Sequence, residues 1–155
     1  GVDGTRYLLL SFGNFGEDMD VNWEKFTEKF NADLANGLGN LVSRVIKLSE
    51  NIDTQESEKF AYRQEFINWI NSMETGKALD HIWIIIRDSN KYIEDNKPWE
   101  LAKNNPEKFQ KTMQKLIADL YLILHLLIPF LPETSEKIKT ALETKKTEIL
   151  FQRIK

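Results

Sequence analysis

An asparagine, an arginine and a tryptophan have the clearest capacity for ligand recognition in this sequence. Asn40 and Arg44 stand one helical turn apart, so on a helix they project from one face beside the apolar stripe. There they would hydrogen-bond a ligand held in a groove at the edge of the core. Trp99 follows Pro98 in a predicted turn, where its ring can stack on an unpaired base. The alternatives are that Asn40 bonds to nearby backbone and that Trp99 packs between helices.

Basic side chains are concentrated in the last third of the chain. The net charge is −3 overall, but residues 1–102 carry −7 and residues 103–155 carry +4. This distribution permits a local basic face despite an acidic total. The lysines that could form a phosphate-binding patch near the tryptophan are Lys103, Lys108, Lys111 and Lys115. The alternative is an ordinary solvated helix face.

Residues for covalent, metal or phosphate-loop chemistry are missing from the sequence. There is no cysteine, and the two histidines, His81 and His125, stand apart among apolar neighbours, which indicates structural roles. Neither GxGxxG nor GxxxxGK[ST] occurs. We therefore expect no catalytic residue, no metal site and no cofactor in this chain.

The longest apolar stretch argues against a membrane protein. It runs from Ile117 to Leu131, is interrupted by Asp119 and His125, and is too short and polar to span a bilayer. No signal-peptide pattern opens the chain.

Apolar residues recur every three or four positions, which predicts five amphipathic helices. Asn22 or Asp20 is the expected cap of the first, and Asn105-Pro106 is a typical start for the fourth. The predicted helices are 23–48, about 56–70, 77–95, 105–128 and 132–143. We expect 99–103 to form a short turn and 149–154 to pack back onto the bundle.

These elements predict an all-α fold, an antiparallel bundle of about five helices. No segment has the alternating pattern of a strand. Residues 1–21 are interpreted as a connector, because the glycines of Phe12-Gly-Asn-Phe-Gly16 suit a turn.

Gly37 and Gly39 lie inside the first helix, where each costs about 1 kcal/mol relative to Ala. Close packing or backbone approach by a ligand would explain them.

One segment closely resembles a known family. The stretch FNADLANGLGNLVSR, residues 30–44, is similar to the opening of the anticodon-binding domain of methionyl-tRNA synthetases, which are class I aminoacyl-tRNA synthetases. Further similar segments, two before this stretch and five after it, occur in the same order as in the family. They are GVD at 1–3, RYL at 6–8, NKYI at 90–93, KPWELAK at 97–103, LIPFLPET at 127–134, LF at 150–151 and RI at 153–154. The resemblance covers nearly the whole chain.

The resemblance implies a role for each candidate residue. By matching position, Asn40, Arg44 and Trp99 correspond to the family's anticodon-binding residues, with the tryptophan stacking on the first anticodon base and the other two hydrogen-bonding its edge or backbone. Asn36 would support the same face, and Lys103 and Lys108 would contact flanking phosphates. The implied fold is the helical anticodon-binding type of class I synthetases, recognising the CAU anticodon of methionine tRNA.

The resemblance also implies a larger parent enzyme. The family's HIGH-like and KMSKS-like motifs for methionine activation do not occur here. Residues 1–21 would then connect to a catalytic domain outside this chain, and residues 22–155 would form the anticodon-binding domain. The parent would be a cytoplasmic methionine-tRNA ligase using ATP and Mg²⁺, whereas this chain alone would be inactive. Its expected partners are methionine tRNA and that catalytic domain, and no membrane.

A different hypothesis comes from the acidic net charge. The chain could be a helical protein-interaction module that has kept the fold and lost tRNA recognition.

Overall fold

The computed structural model describes residues 1–12, 22–56, 60–146 and 148–155, and these residues form helices joined by short loops, with no strand among them. In chain order the elements are α1 (Val2–Ser11), α2 (Trp23–Lys29), a π-helical segment π1 (Phe30–Gly39), α3 (Asn40–Leu48), α4 (Gln64–Asn71), α5 (Thr75–Asn96), α6 (Pro98–Asn104), α7 (Pro106–Leu127) and α8 (Pro132–Thr144). The all-α prediction is confirmed.

The core lies between α5 and α7, which are the longest helices. Both contact α3, and α8 packs along α7. Ile82, Ile86, Leu120 and Ile123 are completely buried between them. Because α5 and α7 bury one continuous apolar stripe each, they form a rigid frame on which the shorter elements are placed.

Two helix starts follow the capping chemistry that the sequence predicts. The Oδ1 atom of Asn22 accepts a hydrogen bond from the backbone N–H of Lys25 at 2.9 Å. The Oδ1 atom of Asn105 accepts from the backbone N–H of Lys108 at 3.0 Å. Each amide satisfies an N–H group that has no partner inside its own helix. The ends of α5, α7 and α8 lie within two residues of the predicted positions.

The five predicted helices correspond to the segment 23–48 and to α4, α5, α7 and α8, while α1 and α6 come in addition. The predicted start of the second helix near Glu56 is wrong, because residues 60–63 are not helical and α4 begins at Gln64. The predicted turn at 99–103 is also wrong. Pro98 occupies a first-turn position of α6, where a proline needs no N–H partner.

Helix α1 lies inside the segment that we interpreted as a connector, and it is anchored to the bundle. Asp3 is buried, and its Oδ2 atom accepts from the backbone N–H of Thr134 at 2.7 Å, in the first turn of α8. The Nε atom of Arg6 donates to the carbonyl of Phe130 at 2.8 Å. Residues 13–21 of the predicted connector lie outside the described residues.

The segment from Trp23 to Leu48 is one helical path whose middle part, π1, has the wider π geometry. A Cβ on Gly39 would lie 3.1 Å from the carbonyl oxygen of Leu34, and a Cβ on Gly37 would lie 3.3 Å from that of Ala32. Each carbonyl belongs to the residue five positions before the glycine, which a π turn brings close to that glycine. The glycines therefore sit where the wide turn leaves little room for a side chain.

Candidate nucleic-acid interface

Arg44 and Trp99 lie against each other, although α3 and α6 carry them. The guanidinium carbon of Arg44 lies 5.6 Å from the centroid of the Trp99 ring. This is a cation–π contact, and it orients the planar guanidinium against the indole. Trp99 remains 40% exposed, so part of its ring can still accept a stacked partner.

Glu94 completes this group from the last turn of α5. Its Oε1 atom lies 2.6 Å from Nη1 of Arg44. The C-terminal end of a helix carries partial negative charge, which disfavours a carboxylate there and favours the arginine cation beside it. The side chain of Glu94 is 63% exposed and that of Arg44 is 24% exposed, so the ion pair is accessible to a competing ligand.

A sharp change of direction between α5 and α6 sets the position of Trp99. Lys97 takes the left-handed backbone conformation, with φ of 44° and ψ of 64°, and it ends α5 through its N–H bond to the carbonyl of Ile93 at 2.9 Å. Pro98 is buried and begins α6. Trp99 follows Pro98 in the first turn of α6. The junction between α5 and α6 therefore fixes the position of the backbone that carries the Trp99 ring.

Asn40 is the first residue of α3, directly after π1, and it is exposed. Its side-chain amide makes no hydrogen bond to any described residue, so both its donor and its acceptor groups are available to a ligand. It precedes Arg44 by one turn, as the sequence predicts. The structure thus places Asn40, Arg44 and Trp99 on neighbouring elements.

Asn36 is exposed, but its side chain already has a partner from the far end of the chain. Its Oδ1 atom accepts from Nε of Arg153 at 2.9 Å and from Nη2 of Arg153 at 2.6 Å. Sequence reasoning did not single out Arg153 as a site residue. The available signal was the match of Leu150-Phe151 and Arg153-Ile154 to the family, which indicated packing but not a contact with Asn36.

The four lysines do not form one uniform patch. Lys111 pairs with Glu107 at 2.7 Å, and Lys115 pairs with Asp119 at 2.5 Å. Among the described residues Lys103 and Lys108 form no ion pair, and both are exposed. Lys103 follows Trp99 by one helical turn on α6, so it projects from the same side of that helix.

The two histidines pack against aromatic rings away from this group. The ring of His125 stacks on Phe60, with centroids 4.4 Å apart, and its Nε2 atom lies 2.9 Å from Oε1 of Glu56. The ring of His81 lies 5.7 Å from that of Trp69. Both histidines line a cavity of about 940 Å³ that none of the predicted site residues lines.

The described residues contain neither a metal-binding cluster nor a membrane-spanning helix. Over the described ranges, no three His, Asp or Glu side chains come together in a way that could hold a metal ion. Likewise, none of the described helices has the length and apolar character needed to cross a membrane.

Comparison with protein-family models gives two matches that together cover almost the whole chain. A model described as the anticodon binding domain of methionyl tRNA ligase matches residues 43–153. A model described as class I tRNA synthetases (M) matches residues 1–46. Arg44 lies in both matched ranges, Asn40 in the second and Trp99 in the first.

Curated relatives and solved structures agree with these matches. A methionine–tRNA ligase of Clostridium acetobutylicum is 38% identical over 92% of this chain and 25% of its own length. One of Fusobacterium nucleatum is 34% identical over 100% of this chain and 27% of its own length. The apo Mycobacterium tuberculosis methionyl-tRNA synthetase superposes with a TM-score of 0.74 at 27% identity, over 89% of this chain and 32% of that one. The chain spans about a quarter of the length of these curated relatives.

Proposed function

This chain belongs to the family of anticodon-binding domains of methionyl-tRNA ligases, and on that premise we propose that it binds the anticodon loop of methionine tRNA and recognises CAU. The observation that carries the proposal is the contact between Arg44 and Trp99 beside the unpartnered amide of Asn40. An exposed aromatic face can stack on an unpaired base, and a planar cation and a free amide can hydrogen-bond its edge.

Each of the three residues has a distinct task. Trp99 stacks on the first anticodon base, cytosine, through the exposed part of its ring. Arg44 offers only donors, which suit the acceptor atoms on the edge of cytosine or a phosphate oxygen. Asn40 offers a donor and an acceptor, so it can match both kinds of group on the base edge. The contacts to the base provide specificity, whereas contacts to phosphates fix position.

Two lysines and one amide support this binding. Lys103 and Lys108 are exposed, and with no ion pair among the described residues they are available to flanking phosphates. Asn36 acts through Arg153, which it holds beside the same face. Lys111 and Lys115 are already neutralised by Glu107 and Asp119, so their contribution is smaller.

The longer protein is a methionine–tRNA ligase in this proposal, working in the cytoplasm with ATP and Mg²⁺. Those ligands would be held by the catalytic domain, outside this chain. Residues 22–155 form the tRNA-binding domain, and residues 1–21 connect it to the catalytic domain. The bonds from Asp3 and Arg6 to the bundle would fix the orientation of that connection. Alone, this chain has no ligase activity.

The alternative of a protein-interaction module is not favoured. The relatives in Clostridium and Fusobacterium are methionine–tRNA ligases, and they match this chain over nearly its whole length.

The test is binding of this chain to short anticodon stem-loops with CAU and with each substituted first base. We expect preference for cytosine, and Trp99→Ala should weaken binding by about 1–3 kcal/mol and remove that preference. Trp23→Ala is the matched control, since Trp23 is also exposed but lies on α2. Binding that ignores both the base and Trp99 would contradict the proposal.

A further inference from the structure

Helix α5 packs directly against the last part of π1. A Cβ on Gly37 would lie 3.8 Å from Cγ2 of Ile86 and 3.9 Å from Nε1 of Trp83, which are ordinary van der Waals distances. Trp83, Ile86 and Asn90 follow one another by three and four positions on α5, so they project from one face of that helix. This face therefore determines where the end of π1 lies.

The side-chain amide of Asn90 joins the two elements. Its Nδ2 atom donates to the carbonyl of Gly37 at 3.2 Å and to the carbonyl of Ile86, one turn earlier on α5, at 3.1 Å. An amide nitrogen carries two N–H groups and a carbonyl oxygen can only accept, so this end of the amide must be the nitrogen. One N–H holds the side chain to its own helix, and the other reaches π1.

The carbonyl of Gly37 is also the acceptor for the backbone N–H of Asn40, at the junction between π1 and α3. At such a junction the spacing of the helical hydrogen bonds changes from five residues to four, so a contact from outside the helix helps to fix the backbone. Asn90 makes this contact at the oxygen to which Asn40 itself bonds. Two successive hydrogen bonds therefore connect α5 to the backbone of Asn40.

Asparagine is an unfavourable choice at position 90 unless its donors are needed. Asn90 lies in the interior of α5, a helix of 22 residues, where asparagine has a lower helix propensity than alanine or leucine. Its bond to Ile86 supplies no partner that α5 lacks, because a carbonyl inside a helix already accepts from the N–H four residues later. The bond to Gly37 is the contact that only this side chain supplies.

Glu94 supports the interface in the same way one turn later. Asn90 and Glu94 stand four residues apart on α5, which is about one helical turn. Asn40 and Arg44 have the same spacing on α3. Asn90 acts on Asn40 through the carbonyl of Gly37, whereas Glu94 pairs with Arg44 directly at 2.6 Å. One helix therefore supports both hydrogen-bonding residues of the interface.

We propose that Asn90 is a positioning residue for base recognition. Its amide fixes the carbonyl of Gly37, and through it the backbone from which the Asn40 side chain reaches the first anticodon base. The inference rests on the proposed function and deepens it, because it adds a residue that acts on the base only through Asn40. Losing Asn90 leaves Trp99 able to stack, so the preference for cytosine falls while binding of other stem-loops is kept.

The test compares the affinity of the whole chain for the CAU stem-loop and for the stem-loop with uridine as its first base. Asn90→Leu keeps the approximate size and the neutral charge of the side chain but has no donor. It should weaken CAU binding about threefold to tenfold, as the loss of one hydrogen bond would, and leave UAU binding unchanged. Asn90→Ala also lacks the donors and should give the same result if leucine disturbs the packing. A general loss of folded protein would weaken binding of both stem-loops equally.

A double-mutant cycle shows whether Asn90 acts through Asn40. Asn40→Ala alone should weaken CAU binding about tenfold, and adding Asn90→Leu should change it by less than about twofold. Asn96→Leu is the matched control. Asn96 also donates to a carbonyl one turn earlier on α5, that of Tyr92 at 3.0 Å, but its amide bonds to no described residue of π1. Any effect of Asn96→Leu should therefore persist in the Asn40→Ala background.

Hydrogen exchange of the Asn40 backbone amide gives a readout that needs no RNA. This N–H bonds to the carbonyl that Asn90 fixes, so it should exchange about threefold faster or more in Asn90→Leu. The rate in Asn96→Leu should equal that of the wild-type chain.

The outcomes separate this role from the proposed function. If the wild-type chain prefers cytosine but both Asn90 variants keep that preference, the positioning role fails and the proposed function stands. The role also fails if Asn90→Leu weakens both stem-loops equally, if its effect persists in Asn40→Ala, or if exchange of the Asn40 amide does not change. If the wild-type chain ignores the first base, the proposed function fails and the positioning role fails with it.

Discussion

Glu94 holds the guanidinium of Arg44 through a 2.6 Å ion pair, on the side of α3 where the ring of Trp99 also lies. The carboxylate therefore occupies donors that RNA acceptors would use. It also places a negative charge beside a site proposed to bind a polyanion. In the free protein Glu94 keeps Arg44 in place, and in the proposed complex it would compete with the ligand.

Removing this charge should strengthen binding of RNA. We expect Glu94→Gln to increase affinity for the CAU stem-loop about twofold to fivefold at low salt, and less at high salt, because exposed charges are screened. Asp95→Asn removes the same charge from the next position, where no described residue pairs with it, and it should have a smaller effect. Equal effects of the two variants would show that only net charge matters.

Replacing Arg44 by lysine should weaken binding even though the charge is kept. An ammonium has neither the planar face that packs on Trp99 nor the fork of donors that matches a base edge. We expect Arg44→Lys to lose about 1–3 kcal/mol of binding free energy, close to the loss from Arg44→Ala. Fluorescence titration of the stem-loop would measure both, and full binding by the lysine variant would contradict the stacked role.

The cap of α7 should contribute measurably to stability. Asn105→Ala removes the acceptor for the N–H of Lys108, and we expect the free energy of unfolding to fall by about 1 kcal/mol. Asn104→Ala is the control, because Asn104 is exposed and caps no helix. Urea denaturation followed by circular dichroism would compare them, and equal midpoints would contradict the capping role.

The hydroxyl of Tyr7 connects α1 to π1, because it donates to Oδ2 of Asp33 at 2.5 Å. Burial, and then Asp33, raise the pKa of Tyr7 far above its ordinary value of 10.0. Tyr7→Phe keeps the ring stacked on Trp83 but loses this bond to a carboxylate. It should therefore cost about 1.5–3 kcal/mol of stability at neutral pH.

The same substitution should change how stability depends on alkaline pH. A raised folded pKa means that above pH 10 only the unfolded chain releases the Tyr7 proton, so stability is full below pH 10 and falls as pH rises. Burial also raises the pKa of Tyr62 and Tyr121. Denaturant titrations should show that the free energy of unfolding falls less steeply from pH 9 to 11 in Tyr7→Phe, with a total loss over this range smaller by about 1.4 kcal/mol. An unchanged slope would exclude a titrating role for Tyr7.

The sequence by itself determined the features that depend on neighbours within one or two turns. The all-α class follows from apolar spacing, and the caps at Asn22 and Asn105 follow from side chains that reach backbone three residues away. That Asn40 and Arg44 lie one helical turn apart, on the same face, follows from helix geometry. The family resemblance was also visible in the segment 30–44, because comparing residue types needs no knowledge of the fold.

Only the tertiary structure decided which distant residues meet. The periodic pattern of 23–48 does not reveal that π1 has a wider turn, since a spacing of four residues, as between the buried Leu34 and Leu38, fits either geometry. Nor does it show that Glu94 and Trp99 converge on Arg44, or that Arg153 binds Asn36. These contacts join elements that are far apart in the chain. They form only when α5, α6 and residues 148–155 pack together, and packing is a property of the whole core rather than of any local segment.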